Sequence, residues 1–541
     1  MFQYIVFIIF ILSLILYPIA FFTHDYEKPM SGLVETTLNI DDYGFGPDKR
    51  LLIFDLTEIG DVQNIDMSDK KYARLQWSSL SHGTRDRDIG IEIKGSGFNQ
   101  RKKINLAFEF WECEDDEEEQ KLPPENEPPQ GPGGFLPPDE ELVPEPKFGM
   151  PARSCDDDKD EMFDFGEDYE DYVLRGGWHE QTFVRDVVAS ELEGGILQKD
   201  LVEVLIKIGD KYTYEGVYIL IPAIQRRVLE KRLDWDEKGK KEDCDDEDYD
   251  IEVVSLIIEH TIESNGRKEP CEIFKDYSVK MRYPKCDFYD EPQIAPCRKE
   301  YMDRTNHFAS VLNLKNETPV ALDLESFANN YLAEMLMRED DFPFTSQYFY
   351  VDPDDSILHA GPRWDYDLAY WRVSDKKSWD LVDLGYYSQG SIKLWKELGK
   401  NEEFINLVKT KKDTVIQNNQ TVYDLIQTRK QQFEDGLFDR ELERWGMFGK
   451  KRDSPYIMYL AFNAYSKNSP KSELNDMEDY FITRSKWMSE NIESFDGYST
   501  RHHQAWAMLI LITVPLWLSF LVGLCLLIQN KNNGYMVVPD N

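Results

Sequence analysis

The chain has 541 residues, enough for roughly two to four domains' worth of buried core, and a hydrophobic content of 41% with 13% aromatics marks most of it as globular. Its formal net charge is −40. That argues against nucleic acid and anionic lipid surfaces as primary partners, because both are held through cationic footprints.

At the N-terminus, residues 2–22 are almost wholly apolar, about the length a spanning helix needs. The start lacks a basic residue, and Pro18-Ile19-Ala20 is a poor small-x-small cleavage site. Residues 1–24 are therefore read as a signal-anchor in preference to a cleaved signal peptide. Residues 33–111 alternate in strand fashion, most clearly at 51–54, 89–93 and 104–110, and form a β-rich N-terminal part. Residues 112–170 carry Pro-Pro, Gly-Pro-Gly-Gly and acidic clusters and read as an insertion. Runs of like charge repel one another and stay solvated. Cys113 and Cys155 bracket this insertion, and a bridge between them would close its base.

A central segment, 171–384, mixes helix and strand. The spacing of Phe183, Val187, Val188 and Leu192 predicts a helix over 182–192. Residues 202–208 and 214–221 form a hairpin with Gly209-Asp210-Lys211 as its turn. A second acidic insertion occupies 233–250, followed by strands at 251–258 and 277–283. An amphipathic helix covers 324–337, and a second hairpin joins 347–351 to 357–364 through Asp352-Pro353-Asp354-Asp355. Residues 385–503 have helical periodicity, with Trp395, Leu398, Phe404, Leu407, Val415, Leu425 and Phe433 as core positions. Residues 506–529 are apolar and uncharged and read as a transmembrane helix, leaving 530–541 as a short tail. Of seven cysteines, six lie outside that apolar segment and suit disulfides in an oxidising lumen. The sequons at Asn316 and Asn419 fit a lumenal or extracellular side for the region between the two apolar segments.

Three clusters carry possible chemistry. Asp365 and Asp367, after a strand-like run, would lie on the same side of an extended chain. Carboxylates so paired can share Mg²⁺ or Mn²⁺, hard cations that take oxygen ligands. Asp340-Asp341 follows the 324–337 helix and offers a base to a substrate hydroxyl or another metal ligand. Lys94-Gly95-Ser96-Gly97, followed by Arg101-Lys102-Lys103, would let backbone and lysine approach phosphate. Each cluster alone is more often a turn, a helix-end loop or a basic hairpin than a site. In this order they form a cationic cradle followed by acidic positions, the division of labour in phosphoryl transfer. No Walker A motif, Gly-rich kinase loop or His-Arg-Asp loop is present, so an ordinary protein kinase is excluded. Scattered histidines and the lack of Cys-x-x-Cys count against a thiolate or imidazole metal site, and no Gly-x-Ser-x-Gly supports a hydrolase.

The ordered series resembles the CotH (spore-coat protein H) family of atypical protein kinases. Lys94-Gly95 through Lys102-Lys103 is similar to its Arg-Gly…Ser…Pro-Lys-Lys segment. Tyr172-Val173-Leu174, Glu180 and Phe183-Val184-Arg185-Asp186 resemble its Trp-x-Leu…Asp…Leu-x-Arg stretch. Tyr214-Glu215-Gly216-Val217-Tyr218 resembles its Tyr-Trp-Gly-Val-Tyr hairpin, and Tyr283-Pro284-Lys285 its Tyr-Pro-Lys. Asp323, Ser326, Phe327 and Glu334 fit its Asp-x-x-Ser-Phe…Glu helix. Ser346, Tyr348 and Tyr350, then Gly361-Pro362-Arg363-Trp364-Asp365-Tyr366-Asp367-Leu368-Ala369, fit its Ser-x-Tyr-x-Tyr…Gly-Pro-x-Trp-Asp-x-Asp-x-Ala. The likeness spans roughly residues 50–496 without the two acidic insertions.

The resemblance implies an α+β, atypical kinase-like two-lobe fold, with a β-rich N-terminal part and a helical C-terminal part; the apolar runs add hydrophobic membrane segments at both ends. It implies ATP with Mg²⁺ or Mn²⁺ as cofactors and transfer of the γ-phosphate to Ser or Thr of a secreted, lumenal or coat protein. Asp365 and Asp367 would hold the metal. Asp341 or Asp340 would be the second acidic catalytic position; counting from Glu334 selects Asp340, and counting back from Ser346 selects Asp341, the preferred one. Lys102 would contact phosphate, with Lys94 in the place of the family's Arg. Two departures stand out. Pro222-Ala223 occupies the place of the family's usual Glu-Lys after the hairpin, and Arg338 replaces its usual Asn. Glu259 is a candidate to replace the missing acid. The departures motivate a second reading, a catalytically inactive kinase-fold membrane protein that binds a partner or adheres.

Overall fold

The computed structural model describes residues 50–65, 69–79, 83–94, 103–113, 155–157, 169–177, 180–233, 255–260, 279–284, 296–312, 321–339, 342, 346–352, 357–367, 369, 393–417, 419–446, 448 and 469–495. The N-terminal strands are β1 (Arg50–Asp55), β2 (Lys71–Ser79), β3 (Gly83–Lys94), β4 (Asn105–Cys113), β5 (Cys155–Asp157) and β6 (Asp171–Arg175). Helix α1 (Arg185–Leu192) precedes β7 (Asp200–Ile208) and β8 (Lys211–Pro222), and α2 (Arg226–Leu233) follows. Next come β9 (Leu256–His260), β10 (Val279–Tyr283), α3 (Pro296–Leu312), α4 (Leu324–Met337), β11 (Gln347–Val351) and β12 (Leu358–Ala360). Helices α5 (Lys393–Leu398), α6 (Glu402–Gln417), α7 (Asn419–Glu434), α8 (Asp439–Trp445) and α9 (Pro470–Asn491) complete the described chain.

Alternation in the N-terminal half produces strands that close on themselves. The order β3-β2-β1-β7-β8-β6-β4 is joined into a seven-stranded barrel by the β3–β4 pairing. An odd ring cannot alternate direction all the way round. The parallel β1–β7 pair supplies the necessary seam, and the other six pairings are antiparallel. Closure removes the free edges that would template wrong pairing. Inward positions follow the strand period of two: Leu52 and Phe54, Ile89, Ile91 and Ile93, Leu106, Phe108 and Phe110 share one core. Each such side chain contributes about 1.5–3 kcal/mol by leaving water. Short β5 adds to β4 beyond β6, and places Cys155 directly opposite Cys113, which is disulfide-bonded.

The second sheet, β10-β9-β11-β12, stands between two cores. Leu256, Ile258, Phe349 and Val351 face the helices, while Ile257, Tyr348 and Tyr350 join the barrel core. Ten of the fourteen residues of α4 are buried, so it is the central helix of the C-terminal core. Asp323 caps α4 by accepting from the Glu325 N–H at 3.1 Å. The helix ends at Arg338 in the left-handed region, φ 54°. This is a mixed α+β protein with a β-rich N-terminal part and a helical C-terminal part.

Most expected elements are present, with shifted ends. The 202–221 hairpin turns at Gly209-Asp210 between β7 and β8. The helix expected over 182–192 starts at Arg185. The Glu180 carboxylate accepts from the Val184 N–H at 2.9 Å and the Arg185 N–H at 3.3 Å, and so sets its first turn. The strand expected over 357–364 shortens to β12, because Pro362 has no N–H to give the ladder after Gly361 N–H donates to the Tyr348 carbonyl at 2.9 Å. Helix α3 matches no expected element. The apolar segments 2–22 and 506–529, and the cores of both acidic insertions, lie outside the described residues. Among the described residues no helix is long and apolar enough to cross a membrane.

Candidate active site

The loop that leaves β12 carries Asp365 and Asp367, and α1 pins it at three points. Glu193, capping α1, accepts from the Arg363 N–H at 3.1 and 2.9 Å. Asp186 accepts from the Tyr366 N–H at 3.0 Å, and Arg185 donates to the Asp367 carbonyl at 3.0 Å. Arg185 also donates to Glu473 of α9 at 3.0 Å, fixing the loop against the C-terminal helices. Tyr366 points away from the carboxylates and donates to Glu334 of α4. So held, Asp365 adopts φ 67°, a left-handed conformation that Asp tolerates better than most residues. The loop is bent rather than extended, and the two carboxylates still converge.

They converge on Arg175, the last residue of β6. Its Nη2 is bonded to Asp365 Oδ1 and lies 3.1 Å from Asp367 Oδ2, and its Nε lies 3.4 Å from Asp186. Lys199 Nζ stands 3.6 Å from the other Asp186 oxygen. Arg175, Asp186 and Lys199 are buried, and Asp367 is nearly so, whereas the Asp365 side chain keeps 31% of its surface open. Burial opposes the charge of Arg175, but Asp365, Asp186 and Asp367 outweigh it and keep the guanidinium firmly protonated. Burial likewise opposes ionisation of Asp186, yet Arg175, Lys199 and the Tyr366 N–H hold its carboxyl below the usual range. At Asp365 burial prevails over Arg175 and, helped by the nearby Asp367 charge, pushes the carboxyl up.

A second polar cluster lies where β8 of the barrel meets α8. Lys103 is fully buried; its Nζ donates to the Val217 carbonyl at 2.6 Å and to Glu441 Oε1 of α8 at 2.7 Å. The other Glu441 oxygen accepts from the Val217 N–H at 2.7 Å. Gly216, in the Gly-Val-Tyr hairpin, makes room for this pair: at φ 138°, a Cβ there would fall 2.6 Å from Glu441 Oε2 and 2.8 Å from Lys103 Cε. Beside it Arg444 pairs with buried Glu215 at 2.8 Å. Burial lowers the Lys103 pKa against the pull of Glu441, and raises Glu215 to about 7.

Of the residues singled out in the sequence, Asp365 and Asp367 are brought together. Lys94 ends β3 and pairs with Glu92. Lys102, Asp340 and Asp341 lie outside the described residues. Glu259 is engaged by Arg282 at 2.6 Å. Sequence reasoning did not assign Arg175, Asp186, Lys199, Lys103 or Glu441. Asp186 stood inside a quoted motif and Arg175 directly after one, so a charged run beside β6 was the available signal. Nothing local links Lys103 to Glu441, which is 338 residues away.

The donor set suits a hard divalent cation. Two carboxylate oxygens already meet at one cationic nitrogen, and one of those carboxylates opens outward. Among the described residues no group of three or more ligating side chains could hold a metal alone. A cation here would complete its shell with water and phosphate oxygens, as Mg²⁺ does at nucleotide sites.

Barrel, helical part and a charged loop pinned between them define an α+β protein with an acidic site rather than a thiolate or imidazole centre. The chain matches the CotH kinase protein family over residues 152–488, more than half its length, and belongs to that family. The membership points to an atypical kinase that uses ATP. The matched region begins after β4, so Lys94, Lys102 and Lys103 lie outside it. No curated protein matches the chain.

Proposed function

We propose that the protein is a membrane-tethered, metal-dependent atypical kinase that transfers the ATP γ-phosphate to Ser or Thr of a secreted, lumenal or coat protein. The observation that carries this reading is the convergence of Asp365 and Asp367 on one cationic nitrogen, in a chain of the CotH kinase family. Asp365 and Asp367 would bind Mg²⁺ or Mn²⁺. The ion supplies neutralising charge to phosphate oxygens as the phosphoryl group moves. Asp341, with Asp340 beside it, takes the proton of the acceptor hydroxyl. Lys102 meets phosphate, and Lys94 stands at the strand end before it. Arg185, Asp186 and Glu193 orient the loop so that both carboxylates keep their geometry without rearrangement. The apolar segments at 2–22 and 506–529 would tether the domain on the lumenal or extracellular side.

The test uses the full-length chain in detergent, with labelled ATP, Mn²⁺ or Mg²⁺ and a Ser-rich acceptor protein, beside Asp365→Ala. Metal-dependent transfer or autophosphorylation in the parent, lost in the variant, is expected. Absence of transfer, together with absence of metal-dependent ATP binding, overturns the kinase reading. Nucleotide binding without transfer would favour the binding-module reading that Pro222-Ala223 motivates.

A further inference from the structure

Arg175 has an unusual load for a buried side chain. One guanidinium serves three carboxylates that come from α1 and from the loop after β12. Its partners differ in how firmly they are otherwise held. Asp186 also has Lys199 and the Tyr366 N–H. The Asp367 side chain is 12% exposed, and its backbone carbonyl is tied to Arg185. Asp365 is the open one, and Arg175 is its one ion-pair partner among the described residues. A divalent cation approaching from solvent therefore meets Asp365 first, and meets it already occupied by a fixed positive charge.

We propose that Arg175 is a positioning residue that stands in for the metal: it holds Asp365 and Asp367 convergent while the site lacks a divalent cation, and it yields Asp365 when one binds. The inference rests on the metal reading above and adds a competition to it. When Asp365 leaves, the guanidinium keeps Asp186 and Asp367, so the fold around it survives the exchange. Two like charges cannot share one carboxylate without mutual repulsion, so Arg175 weakens metal binding in the absence of nucleotide. It also keeps the carboxylates from repelling each other apart. A purely structural arginine would set the melting temperature and leave metal affinity alone.

The probe is Mn²⁺ alone, titrated into the full-length protein in detergent and followed by the electron paramagnetic resonance of the free ion. Arg175→Met removes the competing charge and should tighten Mn²⁺ binding roughly tenfold. Arg175→Lys keeps the buried charge, and with it the fold, but its single ammonium cannot span three carboxylates. It should tighten binding by a smaller factor, about threefold on the same charge argument. In both variants the gain should vanish when Asp365→Ala is added. An affinity equal to or weaker than the parent's in a variant that still melts cooperatively overturns the proposal. If parent and variants bind Mn²⁺ equally and Asp365→Ala abolishes it, the metal reading stands and the role of Arg175 falls. If none of them binds Mn²⁺, both fall.

Discussion

Substituting Gly216 by Ala tests whether the Lys103–Glu441 pair locks the barrel to the C-terminal helices. The position is doubly restricted. Its φ of 138° lies where L side chains rarely go, which costs on the order of 1–3 kcal/mol. Its Cβ would also come within 2.6 Å of Glu441 Oε2, 2.8 Å of Lys103 Cε and 2.9 Å of Lys103 Nζ. Those atoms belong to side chains at most 1% exposed, so neither can swing into solvent. Relieving the overlap means parting the ions, and breaking a buried pair costs about 3–5 kcal/mol. A loss of about 4 kcal/mol or more is expected. Gly194→Ala is the control: Gly194 has φ 88° and nothing within 4 Å, so it reports left-handed strain alone, about 1–2 kcal/mol. Urea unfolding of both full-length variants, followed by tryptophan fluorescence, makes the comparison. If Gly216→Ala is no more than 1 kcal/mol worse than Gly194→Ala, the pair has room to relax and the argument fails.

Glu215 gives a pH signature. Its carboxyl is raised to about 7 in the fold from 4.5, so the folded state binds the extra proton between those values. Stability from this group is present below pH 4.5 and is lost as pH rises towards 7, by roughly 3 kcal/mol in all. Urea midpoints at pH 5 and 7.5 should differ less for Glu215→Gln than for the parent. Arg338 ends α4 with φ 54°. Replacing it by Gly removes the Cβ penalty and should stabilise the fold by about 1 kcal/mol, seen as a higher urea midpoint. A midpoint that is unchanged or falls would mean that the Arg338 side chain contributes more than its backbone costs.

The strand and helix patterns were legible wherever one face is buried and the period is clean. Gln347–Val351 and Leu324–Met337 have the bounds their patterns predict, because β11 is buried throughout and α4 buries ten of its fourteen residues. Helix α3 was missed because its buried residues, Phe308, Ala309, Val311 and Leu312, crowd its last turns behind a polar start. The pairing of Asp365 with Asp367 was legible from their spacing, but the reason they converge was not. That reason is a guanidinium from β6 and a left-handed backbone set by α1. Barrel closure was equally hidden, since β1–β7 pairs residues about 150 apart and no local pattern announces a parallel seam. The family's Asn at position 338 acquires a physical account in the fold. Asn adopts the left-handed helix-end conformation more readily than Arg, so the substitution places a costlier residue at the end of α4.

The carboxylate that neutralises buried Lys103 reaches it from 338 residues further along the chain. On a ribosome adding about 5–20 residues each second, the strands of the barrel emerge tens of seconds before α8 exists. Through that interval Lys103 has no Glu441, and the hairpin N–H of Val217 lacks its acceptor. The nascent barrel is thus an unfinished object that the synthesis of α8 completes. A chain cut short before α8 would carry the cost of a cation enclosed without its partner.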